Sequence, residues 1–232
     1  MSRSARETAA AKFRRYMQQS NELHDSYLDE PGAAQQYDRF TEWQMAYLLT
    51  FFTDLHERPG YAEAIDFTMS DLAGVRISGR DRDLERASPV ITRMLPLKAL
   101  ETIAAAAQLN AHVLQVNLGI FRQLQVDSEL PAEIGERAYW LACREASTLD
   151  ECTGLVHLAV KLGGTLKTLV KVPLLGGMLR AMRGPAHAAG FGALQEFLES
   201  GYSKFREIPD IDHFLGEIDT RMTEVFEMIY TR

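Results

Sequence analysis

Apolar side chains recur at intervals of three and four along nearly the whole chain, and alternating apolar–polar runs are almost absent. That period puts one face of a helix inward, so the pattern predicts an all-α protein. A first helix is expected over 4–28, halted before Pro31-Gly32, a second over 33–57, stopped at Pro59-Gly60, and a third over 60–73. A loop over 74–79 leads to a short helix at 81–94, with Ser78 and Asp81 as a capping pair and Pro89 bending or ending it. Further helices are predicted at 97–125, 131–146, 149–171, 174–182, 186–206 and 210–230. Pro131 suits the first turn of its helix, and Asp210 suits the cap of the last. The expected architecture is a single-domain multi-helix bundle over 1–232, with 1–30 as an N-terminal helical extension.

The helix at 97–125 has an unusual composition. Residues 102–121 carry no charge, yet Gln108, Asn110, His112, Gln115 and Asn117 interrupt the apolar run, which argues against a membrane span. A helix apolar on most sides belongs among other helices, so this one is expected to be the buried uncharged centre of the bundle. Gln108, His112 and Gln115 share one face, with Asn110 and Asn117 roughly opposite. Buried amides and imidazoles need partners. The stripe is therefore read as an interhelical hydrogen-bond network or, alternatively, as the lining of a ligand cavity with His112 as acid, base or ligand.

Charge changes the picture most between Cys152 and Gln195. That stretch has no acidic residue and carries +5 from Lys161, Lys167, Lys171, Arg180 and Arg183, leaving −12 on the rest of a chain whose total is −7. Within 149–171, Leu155, Leu158, Leu162, Leu166 and Leu169 share one face, and Lys161, Lys167 and Lys171 fall on the other. Either the leucines dock in the core while the lysines face water or the acidic remainder, or the lysine face meets an anionic partner. That partner would be an acidic protein, an acyl or phosphate ligand, or a lipid surface. Gly163, Gly164, Gly176 and Gly177 favour close helix packing over a membrane contact.

The acidic balance, with a pI near 5.4, excludes a general nucleic-acid binder. Two cysteines without metal spacing, and an N-terminus lacking an apolar signal core, predict a reducing, cytoplasmic setting. No phosphate-binding glycine loop, nucleophile elbow or metal-ligand spacing occurs, so no catalytic residue, metal or cofactor is expected.

Residues 80–96 (RDRDLERASPVITRMLP) and 182–206 (MRGPAHAAGFGALQEFLESGYSKFR) resemble the uncharacterised bacterial proteins named for an FFLEE or FFLEELY motif, and the order of segments across 60–230 agrees. At the position of the motif itself, Phe67, Asp71, Leu72 and Gly74 are kept, and Thr68, Met69, Ser70 and Ala73 depart. The resemblance implies a helical cytosolic protein and brings no activity with it. It directs attention to Arg80 and Arg86, which either join Asp81, Asp83 and Glu85 in ion pairs or grip an anion. It also highlights Arg183, beside an expected helix start at 186 that would favour a phosphate or carboxylate.

These observations lead to a non-enzymatic binding or regulatory protein whose Lys161, Lys167 and Lys171 hold an acidic protein or anionic small molecule. The alternative is a small-ligand protein or enzyme with a cavity around Gln108, His112 and Gln115 and an anion clamp at Arg183. A homodimer is a third expectation.

Overall fold

The structure is a computed structural model, and it describes residues 2–28, 31–68, 92, 97–127, 129–172, 174–188, 190 and 192–231. The expected helix at 81–94, with Arg80 and Arg86, lies outside the described residues apart from Thr92. The chain is all-α: among the described residues the only β pairing is a single bridge between Val126 and Glu129. The helices are α1 (Ser2–Leu28), α2 (Ala33–Leu49), a 3-10 turn (Thr50–Phe52), α3 (Thr53–His56), α4 (Ala62–Phe67), α5 (Leu97–Leu124), α6 (Glu136–Ala146), α7 (Leu149–Leu169), α8 (Leu175–Ala188), α9 (Gly192–Glu207) and α10 (Ile211–Thr231).

Local chemistry explains most boundaries. Gly32, at φ 83°, takes the left-handed turn that separates α1 from α2. Gly60, at φ 85°, turns so close to Pro209 that an added Cβ would sit 2.9 Å from its ring. α7 opens with a reciprocal cap, the Glu151 amide donating to Thr148 Oγ1 at 3.3 Å and the Thr148 amide donating to Glu151 Oε2 at 2.8 Å. The His213 amide donates to Asp210 Oδ1 at 3.0 Å, the cap expected for α10.

Three boundaries differ from the expectation. The helix predicted over 33–57 breaks at the 3-10 turn, where the Thr50 hydroxyl donates to the Tyr47 carbonyl at 2.6 Å and Phe52 leaves helical geometry at φ −121°. The tighter turn aims both Phe52 and Leu55 into the core, where neither is exposed. α6 starts at Glu136 and not near Pro131, because α2 holds the preceding backbone. Arg39 Nη2 donates to the carbonyls of Leu130 and Pro131 at 2.7 and 2.6 Å, and the Leu130 amide donates to Gln36 Oε1 at 2.7 Å. Finally, α8 runs through Gly184-Pro185 to Ala188, where a loop was expected. Ala181, whose carbonyl loses its helical donor to the proline, is exposed to water, which limits the cost.

Among the described residues the buried core falls into four clusters, the smallest being Ala9, Ala10 and Leu100. Phe40 of α2, Leu118 and Phe121 of α5, Tyr139 of α6 and Ile229 of α10 pack in the largest. Phe52, Leu55 and Ile65 meet Phe214 and Ile218 of α10 in the second. α1 packs along α5, burying Phe13 and Met17 against Ala104 and Ala107.

α5 contacts α1, α2, α6 and α7, but it is not enclosed on every side: Gln115 is exposed, and Gln108 and His112 are half-buried. Its opposite polar face is the buried one. Asn117 accepts from Gln44 Nε2 at 3.2 Å, Gln44 Nε2 also donates to the Tyr139 hydroxyl at 3.1 Å, and Asn110 Nδ2 donates to Ser20 Oγ at 3.3 Å.

Candidate binding surface

The acid-free stretch forms most of α7, the turn after it, and α8. α7 is rotated about a quarter turn from the leucine stripe read in the sequence. Its buried positions are Cys152, Val156, Leu162 and Gly163, so of the five leucines only Leu162 is buried. Gly163 carries the packing with α10: a Cβ there would meet Leu215 at 2.5 Å. The rotation separates the three lysines. Lys161 and Lys171 are exposed, whereas Lys167 turns toward α10, is half-buried, and forms an ion pair with Asp212.

α8 buries none of its residues. It is held to α9 largely by polar contacts. The buried Gln195 donates through Nε2 to the Leu179 carbonyl at 2.6 Å and to Glu199 Oε1 at 2.9 Å, and Arg183 forms a two-point ion pair with Glu199. That pair raises the Arg183 pKa and lowers that of Glu199. At Gly176 the two helices approach closely, a Cβ there falling 2.8 Å from the Tyr202 ring. Arg183 therefore sits inside a helix and already has a carboxylate, and the helix start expected at 186 does not exist.

With its polar side turned to α9, α8 presents its apolar side to solvent. Leu174, Met178 and Met182, spaced by four, are 82%, 65% and 54% exposed. Leu174 holds φ 68°, a left-handed conformation costing a branched residue roughly 1–2 kcal/mol. Between the end of α7, α8 and α9 lies an open cleft of about 1140 Å³, with Lys171, Arg180, Arg183 and Arg206 facing Glu196, Glu199 and Glu207. No α5 residue lines it, so Arg183 and His112 do not share this cleft.

The Gln108–His112–Gln115 face meets α1. Gln19 Nε2 donates to Gln115 Oε1 at 3.1 Å, and Tyr16 stands edge-on to the His112 ring at 5.3 Å. Partial burial lowers the His112 pKa, and the nearby charges of Arg15 and Lys12 lower it further. The unfolded chain then takes up the proton first, so this residue's contribution to stability is complete above about pH 6.5 and declines as pH falls through it. An NMR titration is expected to place the His112 midpoint below 6.5, and Arg15→Gln should raise it; an unchanged midpoint in that variant would contradict the arrangement.

Among the described residues no group of three or more His, Cys, Asp or Glu could hold a metal, and no helix is long and apolar enough to cross a membrane. Cys143 is buried, its thiol pushed up to about 12 chiefly by desolvation, which makes it a poor nucleophile.

The sequence reading missed the α8 ridge. Its signal was present in the four-residue spacing of Leu174, Met178 and Met182 within the helix expected at 174–182, but Gly176 and Gly177 there were read as a sign of close helix packing.

Fold and surface together define a helical protein with an uncovered apolar ridge beside a basic turn. The chain belongs to the DUF8198 family, a domain of unknown function whose family model matches residues 23–232. No curated protein and no solved structure matches it.

Proposed function

We propose that this is a non-enzymatic binding or regulatory protein of the cytoplasm, using the end of α7 and α8 to hold an acidic or amphipathic partner. One observation carries the reading: α8 buries no residue, yet it displays Met178 and Met182, with Leu174 just before its start, as large exposed apolar side chains beside exposed cations. An amphipathic helix in a soluble protein normally turns its apolar face to the core. One turned outward leaves apolar area that a partner would cover. The resemblance of 80–96 and 182–206 to the bacterial FFLEE family supports the cytoplasmic setting.

Lys161 and Lys171 are exposed, while Lys167 is committed to Asp212, so the first two test the charge requirement. Immobilised wild-type protein should recover a partner from host extract that Lys161→Glu/Lys171→Glu does not, with melting temperatures equal within error. Equal recovery by both would overturn the reading.

A further inference from the structure

Resting on that reading, we infer that the partner is an anionic lipid surface, on which α8 lies in the membrane plane. Leu174, Met178 and Met182 enter the headgroup–acyl boundary, while the exposed Lys171 and Arg180 reach the lipid phosphates.

Four observations converge. First, the attachment of α8 is inverted: its polar side is spent on Gln195 and Glu199, and the outward arc of Leu174, Met178, Ala181, Met182 and Pro185 carries no charge. An in-plane helix needs this division, with one side in the acyl boundary and the charged side away from it. Second, the feature is a ridge. A protruding row of flexible methionines needs no preformed groove to enter a deformable apolar layer. Among the described residues nothing lies within 4 Å of a Cβ added at Gly177 or Gly184 beside it.

Third, charge orients the molecule. The longest acid-free stretch is 152–195, at +5, and the rest of the sequence carries −12, so an anionic surface attracts this part and repels most of the remainder. Glu199, on the facing wall of the cleft, is taken up by Arg183, and Glu196 lies 3.6 Å from His187. Fourth, the size fits a peripheral contact. A helix of 14 residues is too short to span a bilayer.

The test is co-sedimentation with vesicles of phosphatidylcholine alone and of phosphatidylcholine with about one-third phosphatidylglycerol. The wild-type protein should pellet with the anionic vesicles and stay in solution with the neutral ones, and added salt should release it. Met178→Glu/Met182→Glu and, separately, Lys171→Glu/Arg180→Glu should each weaken partitioning at least about tenfold. All four positions are exposed, so the circular dichroism melt should not move.

Absence of pelleting with anionic vesicles, or pelleting that neither variant weakens, overturns the lipid inference. If vesicles fail while light scattering shows a wild-type dimer that Met178→Glu/Met182→Glu dissociates, the ridge contacts a second copy and the lipid inference falls. If vesicles fail while Lys161→Glu/Lys171→Glu still abolishes recovery of an acidic protein, the lipid inference falls and the binding reading stands. If no vesicle and no charge-dependent partner binds, both fall.

Discussion

Phe40→Ala is expected to lower the unfolding free energy by about 3–5 kcal/mol. Phe40 is fully buried, and its ring lies 5.9 Å from those of both Tyr37 and Phe121. It belongs to the cluster in which α2, α5, α6 and α10 meet, so its loss leaves a cavity bounded by several helices that cannot all close in at once. Domains of this kind are stable by only about 5–15 kcal/mol, so the variant would keep a modest fraction of the margin. Urea unfolding followed by fluorescence is a direct measurement, because Trp43 and Trp140 pack against the same cluster. The midpoint should fall with the slope unchanged. A loss below about 1.5 kcal/mol would mean that these four helices do not converge on this ring.

Asn117→Leu should be nearly as damaging, for the opposite reason. It adds apolar bulk at a buried position but removes one of the two acceptors of Gln44 Nε2, and it removes the partner of the Tyr37 hydroxyl. Each polar group so orphaned costs about 1–3 kcal/mol. Tyr37 is buried, and its desolvation already drives its pKa upward, so water offers no replacement partner. Removing the stranded groups as well, by Gln44→Leu and Tyr37→Phe in the Asn117→Leu background, should recover most of the loss, since exchanging a whole polar set for apolar groups is nearly neutral. Tyr139 would lose the amide of Gln44 but keep its hydrogen bond to Cys143. A neutral single variant, or a triple variant worse than the single, would rule out this network.

Features set by a few adjacent residues were legible in the sequence: the Pro31-Gly32 turn, the Asp210 cap and the helical period itself. Features set by a residue far along the chain were not. α6 begins late because Arg39 and Gln36, more than ninety positions earlier, hold residues 130 and 131. α7 turns a quarter of the way round because Leu215 fits against Gly163, a contact that a count of leucines cannot show. The excess of positive charge was plain, but its fate was not. Lys167 and Arg183 are committed to Asp212 and Glu199, carboxylates 45 and 16 positions away. For the candidate surface, composition pointed to a stretch but not to the side that α8 exposes, because the direction in which α8 points is decided by Gln195 and Glu199 on the next helix.

The first helix has a practical consequence for anyone cutting the chain. The family match begins at residue 23, partway along α1. Yet Phe13 and Met17, only 1% and 2% exposed, are what roof the alanine-floored trough of α5 at Ala104 and Ala107. A recombinant fragment trimmed to that boundary would lose the roof and keep the trough, turning a sealed seam into a sticky one.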